Sequence, residues 1–96
     1  MYAHLNIWNL NETGVSSDDT AARELAARLR QQPGFRSYTV IRTGRREVAA
    51  VTVFDSQAQL ERAVEAVADL VRQRIAPLAA GSPERRRGDV LYHATA

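Results

Sequence analysis

The sequence predicts an α+β domain with its elements in the order βαββαβ, spanning residues 1–96 as one unit. Three observations carry that expectation. Residues 2–10 alternate between side-chain types with period two, residues 20–32 and 57–75 repeat apolar side chains at helical spacing, and two β-rich runs, 35–43 and 48–54, flank a Gly44-Arg45-Arg46 turn.

In the first strand Ala3, Leu5 and Ile7 share one face, read as plain core, and Tyr2, His4, Asn6 and Trp8 share the other. Residues 11–19 are rich in Asn, Thr, Gly, Ser and Asp. They read as a loop in which Ser17 or Asp18 caps the following helix by accepting hydrogen bonds from its unpaired amides. That helix presents Ala22, Leu25, Ala26 and Leu29 along one side and stops at Pro33-Gly34, which cannot continue it. The runs 35–43 and 48–54 form an antiparallel hairpin. Asp55 or Ser56 then caps the longest periodic segment, in which Leu60, Ala63, Val64, Val67, Ala68, Val71 and Ile75 recur until Pro77. Residues 81–88 read as a polar loop, and 89–95 alternate again as a final strand.

Composition narrows the function classes. Hydrophobic residues make up 45% and charged residues 25%, ordinary usage for a folded domain. The pI of 9.7 suggests a polyanion binder, but thirteen basic against eleven acidic residues leave only +2 at neutral pH. All thirteen basic residues are Arg, which stay charged far above neutrality, so the pI overstates the basicity. Arg85-Arg86-Arg87 is short and flanked by Glu84 and Asp89. A nucleic-acid surface needs a longer stripe or a recognition helix, so the run reads as a solvated loop or an inter-subunit pairing, and no nucleic-acid partner is expected. With no Cys there is no disulfide, thiolate metal site or cysteine nucleophile. His4 and His93 alone make a poor metal site, so no metal is expected. The alternating N-terminal run is unlike a signal peptide and no stretch reaches the roughly 20 apolar residues of a membrane span, so the expectation is a cytoplasmic protein without membrane contact.

Right-handed crossovers put both helices on one side of a four-stranded antiparallel sheet, leaving the other side uncovered in a single chain. Its expected occupants, Tyr2, Trp8, Ala50 and Phe54, form an apolar patch suited to packing against a second sheet, which makes a homodimer the expected assembly. Pro33-Gly34-Phe35 opening the second strand, Val51-Thr52-Val53-Phe54-Asp55-Ser56 leading into the second helix, and Gly88-Asp89-Val90 opening the last strand resemble the antibiotic biosynthesis monooxygenase superfamily over nearly the whole domain. The resemblance implies a ferredoxin-like fold that pairs into a dimeric α/β barrel. It also implies a ligand between sheet and helices or at the sheet-to-sheet interface.

The polar face of the first strand is then the place to look for chemistry. An imidazole can exchange a proton near neutrality, an amide can hydrogen-bond a phenolate or a reduced oxygen species, and an indole can stack on an aromatic ring. His4 as base and Asn6 as hydrogen-bond donor are the expected catalytic residues. Trp8, Tyr38, Thr52, Phe54 and Tyr92 are the expected substrate-binding residues, with Arg36 and Arg42 as a possible anion clamp on the strand face of Tyr38. Resemblance to the cofactor-free members implies a monooxygenase that needs no cofactor, in which a small aromatic or polyketide-type substrate is deprotonated and its anion reduces dioxygen. The heme-degrading branch also uses an Asn on the first strand, but the later His and Trp it requires are absent from residues 57–75. The competing reading from another class is a non-catalytic small-molecule-binding or scaffold dimer, with Trp8 filling the interface and His4 a satisfied side chain.

Overall fold

The computed structural model describes residues 1–96 and shows the expected α+β architecture: a four-stranded antiparallel sheet with helices packed on one side. Strand β1 (Tyr2–Asn9) leads into a short helix α1 (Glu12–Ser16) and then α2 (Thr20–Arg30). The hairpin β2 (Phe35–Gly44) and β3 (Glu47–Phe54) follows, then α3 (Gln57–Ala66), a short helical piece α4 (Ala68–Leu70), a π-helical turn (Val71–Ile75), a 3₁₀ turn (Ala76–Leu78) and β4 (Glu84–Asp89). The sheet order is β2-β3-β1-β4, which is the ferredoxin-like arrangement.

Local chemistry explains the boundaries. The loop expected at 11–19 folds partly into α1 because the Asn11 side chain accepts the Gly14 amide at 2.8 Å, while its own amide donates to the Pro77 carbonyl at 2.8 Å. Gly14 lies so close to the 3₁₀ turn that a Cβ there would stand 2.1 Å from the Leu78 carbonyl oxygen. Asn11 and Gly14 thus clamp α1 to the distal turn. The Asp18 carboxylate accepts the Thr20 amide at 3.0 Å at the entry to α2. Pro33 ends the helical pattern, and Gly34 turns the chain with φ of +84°, a left-handed conformation that glycine adopts without a Cβ clash. Ser56 caps α3 by accepting the Gln59 amide at 3.3 Å, as the sequence predicts.

Three expectations need correction. The final strand is Glu84–Asp89, not 89–95. As an edge strand it pairs on one side only, so it needs no apolar face, and charged side chains there discourage pairing with other sheets. After it, Val90 still donates its amide to the Met1 carbonyl at 2.9 Å, but Tyr92 and His93 lie in an exposed tail. Second, the helix expected over 57–75 breaks at Val67, where φ −105° and ψ 4° leave the helical region, and resumes as α4 and the wider π-helical turn.

Third, the two faces of the sheet are exchanged. Phe54 is fully buried under the helices with Leu25, Leu29, Leu60, Ala63 and Val67, and Tyr2 and Phe35 pack against that cluster. Antiparallel register puts directly opposed residues on the same side, so Tyr2, His4, Asn6 and Trp8 face the helices together with Phe54, Thr52, Ala50 and Val48. The uncovered face instead carries Ala3, Leu5, Ile7, Ala49, Val51 and Val53. The aromatic residues Tyr2 and Phe54 pack beneath the helices, and these residues of the uncovered face are all aliphatic.

Candidate functional site

A cavity of about 590 Å³ lies between the helix-facing side of the sheet and the helical layer. Its floor is built from cross-strand rows. One row runs Arg87, His4, Thr52, Tyr38 from β4 to β2; the next runs Arg85, Asn6, Ala50, Val40; a third joins Trp8, Val48 and Arg42. Ala50 and Thr52 are small, so the middle of the floor is low. The opposite wall comes from Ala22, Leu25 and Leu29 of α2 and from Val64, Val67, Val71 and Ile75. The helix breaks at Val67 and continues through the π-helical turn, and Val67, Val71 and Ile75 on these pieces line the cavity; π-helical turns inside helices recur at functional sites. Arg74 pairs with Glu24 of α2 at 2.7 Å, tying the turn to the neighbouring helix.

The polar groups on the floor are few and unusual. His4 is only 4% exposed, and its Nε2 has no hydrogen-bond partner. Asn6 Oδ1 is likewise buried and unpartnered. Buried polar atoms are normally paired because an unmet hydrogen bond costs about 1–3 kcal/mol, so two adjacent unmet atoms in a cavity wall form a natural ligand contact. Burial pushes the His4 imidazole down to about 4, helped by the positive charges of Arg87 and Arg85 and opposed by the neighbouring Asn6. His4 is therefore neutral at physiological pH. Burial also pushes the Tyr38 phenol up to about 12, so it stays protonated and can donate a hydrogen bond.

The structure brings together most of the residues singled out in the sequence. His4, Asn6, Trp8, Tyr38 and Thr52 all line the cavity, and Arg42 stands on its rim. Phe54 does not: it is sealed in the solid core, edge-on to Phe35 with ring centroids 5.7 Å apart. Tyr92 is 86% exposed beyond the last strand, away from the cavity. Arg36 sits at a β-bulge and pairs with Asp55 instead of facing the site. Arg85, on the cavity wall, and Arg87, beside His4, were hidden by the loop reading of the Arg run. Their signal was the alternation itself, since Arg85 and Arg87 share one parity and Glu84 and Arg86 the other.

The aliphatic wall residues were legible only as core. Of the two histidines, only His4 reaches the cavity, and no group of three His, Cys, Asp or Glu side chains forms that could hold a metal ion. No helix is long and apolar enough to cross a membrane.

No family model matches the sequence, and no curated protein matches it significantly. Solved structures do. SnoaB, a cofactor-independent oxygenase from Streptomyces nogalater, superposes with a TM-score of 0.80 at 16% identity, covering 96% of this chain and 94% of its own. A Nitrosomonas europaea protein provisionally named an antibiotic biosynthesis monooxygenase gives 0.82 at 14% identity over 96% of this chain and 100% of its own. The chain has the antibiotic biosynthesis monooxygenase fold. A second Nitrosomonas europaea protein, of unknown function, gives 0.84 at 10% identity over 99% and 93%. At these identities the likeness establishes the antibiotic biosynthesis monooxygenase fold.

Proposed function

We propose that the protein is a cofactor-independent monooxygenase that oxidises a small aromatic or polyketide-type molecule with dioxygen. The observation that carries this reading is the pair of buried, unpartnered atoms, His4 Nε2 and Asn6 Oδ1, on the floor of a largely apolar cavity. An aromatic body fits beside Trp8 and the aliphatic helical wall, and a ring hydroxyl or enol would meet the imidazole and amide.

His4 is neutral and so able to accept the substrate proton, and the anion that forms beside it offsets the burial and the Arg charges that lower its basicity. Asn6 Oδ1 accepts a hydrogen bond from the substrate hydroxyl and the Asn6 Nδ2 group donates to the anion once the proton has gone to His4, while Tyr38 offers a phenolic hydrogen bond across the row. The electron-rich anion transfers an electron to dioxygen, the two radicals join through a new C–O bond, and the peroxide formed takes a proton back from His4. For an activated CH2 group, loss of water from that hydroperoxide leaves a carbonyl, so one oxygen atom enters the product and the other leaves as water. The apolar wall shields the reactive anion from solvent.

The proposal extends to assembly. The uncovered sheet face, with Leu5, Ile7, Val51 and half-exposed Ile41, is the surface on which a second copy would pack to form a homodimer.

The test is oxygen uptake by protein treated with a chelator and freed of flavin, with an anthrone and a series of hydroquinones as substrates. The expected result is one dioxygen consumed per anthrone converted to quinone, at a rate proportional to protein. Saturable binding of these compounds without oxygen uptake would support a non-catalytic binding dimer instead.

A further inference from the structure

The Arg run on β4 contains a contrast that proton transfer and shielding do not use. Its three guanidinium groups alternate across the sheet. Arg86 lies opposite Leu5 on the uncovered face, where it pairs with Glu84. Arg85 and Arg87 lie opposite Asn6 and His4 on the cavity side, and neither has a carboxylate partner or any hydrogen bond from its side chain. Seven of the protein's thirteen arginines lie outside ion pairs, and Arg85 and Arg87 are the two of these directly opposite Asn6 and His4 on the neighbouring strand.

The carboxylates at the cavity do not neutralise them. Asp18 and Asp19 stand at the start of α2, where Asp19 is held by Arg23 and Asp18 caps Thr20. Arg85 also borders a shallower depression that shares Trp8, Val71, Arg72 and Ala79 with the main cavity. It therefore stands where a ligand lying across the Trp8 ring would emerge from the apolar space. Two cations without carboxylate partners favour an anionic ligand over a neutral one, while the unpartnered His4 Nε2 and Asn6 Oδ1 take the hydrogens of its hydroxyl groups.

We infer that Arg85 and Arg87 are specificity-determining residues that select an aromatic substrate bearing a carboxylate. The carboxylate sits on Arg85 at the edge-strand mouth, with Arg87 adding its charge from the next position along the strand. The aromatic body lies inward, against Trp8 and over Asn6. This rests on the cavity being the ligand site, but not on the protein being an oxygenase.

Trp8 is the single tryptophan and lines the cavity, so its fluorescence reports occupancy directly. Anthraquinone-2-carboxylate and anthraquinone-2-carboxamide are close in size and shape, differ in charge, and cannot be oxidised by the proposed reaction. Titrating each into the intact protein should show the acid binding about tenfold tighter, as a charge-assisted hydrogen bond predicts. In Arg85→Gln that preference should fall to near unity through loss of acid affinity, with amide affinity unchanged. Arg87→Gln should reduce it by a smaller factor, and Arg85→Lys should keep part of it.

Because both guanidiniums are exposed, the preference should also shrink as ionic strength rises. Equal affinity for acid and amide, a preference that survives in both Gln variants, or no quenching by either compound would overturn the inference. Oxygen uptake with anthrone but no acid preference would refute the carboxylate site and leave the oxygenase reading standing. Acid selectivity without oxygen uptake would do the reverse.

Discussion

The two ends of the helix-covered sheet face are built from the same strands, yet one is solid and the other hollow. At the end that begins with Tyr2, Phe35 and Phe54 meet edge to face, and Leu60 and Ala63 are completely buried above them. There α3 runs regularly over Gln57–Ala66 and its apolar stripe reaches the sheet. At the other end Ala50, Thr52 and Val48 keep the floor low, and the helix has broken at Val67 and widened into its π-helical turn. The apolar residues are present at both ends. What differs is the regularity of the helix above them and the size of the floor residues beneath: the cavity lies where the helix is irregular and the floor is small.

That contrast can be broken most forcefully by substitution at the solid end. Phe54→Ala should cost about 3–5 kcal/mol of unfolding free energy in urea titration, because it empties a site with no slack. Ala50→Leu, at the hollow end, should change stability by less than about 1.5 kcal/mol, since the added atoms enter space already open. It should nevertheless abolish quenching of Trp8 by anthraquinone ligands. If Ala50→Leu destabilised the protein as much as Phe54→Ala, the two ends would be equally packed and the comparison would fail.

A smaller effect concerns pH. His4 has its folded-state pKa lowered to about 4 from an ordinary value of 6.5, so the unfolded chain binds a proton more readily than the folded one between these values. Its contribution to stability is present in full above pH 6.5 and is lost as pH falls toward 4. Oxygen uptake that depends on neutral His4 should hold steady down to about pH 5 and collapse near pH 4. An inflection near 6.5 would show instead that the imidazole is solvated. The least change to the fold is expected from Val51→Arg, in the middle of the uncovered face. It should convert a dimer to a monomer in sedimentation while leaving monomer secondary structure intact.

Much of this was legible in the sequence. Period-two alternation in β1 and the β-branched hairpin are local signals, and the element order they imply survives in the structure. The cavity residues His4, Asn6, Trp8, Tyr38 and Thr52 were found because strand parity alone puts them on one face with the register of their partners. Which face the helices cover is not a local property. Tyr2, Trp8 and Phe54 look like interface residues until helical packing supplies the depth that aromatic rings fill. The final strand is not legible because an edge strand tolerates charge on both faces, so Arg85, Arg86 and Arg87 carry none of the apolar periodicity that marks other strands. The break at Val67 has no Pro or Gly to announce it; the apolar spacing continues through it to Ile75 while the backbone does not.

The central claim is that the hollow end is a site of chemistry centred on His4 and Asn6. It is tested most directly by the turnover rate for anthrone-dependent oxygen uptake in the wild type, His4→Ala and Asn6→Ala, with each variant first shown to fold and to bind the anthraquinone amide. A loss of at least about tenfold in turnover for both variants, in the range expected when a general base or an anion-stabilising donor is removed, is the predicted result. Uptake that is unchanged in both would contradict the account and leave the cavity as a binding site without catalysis.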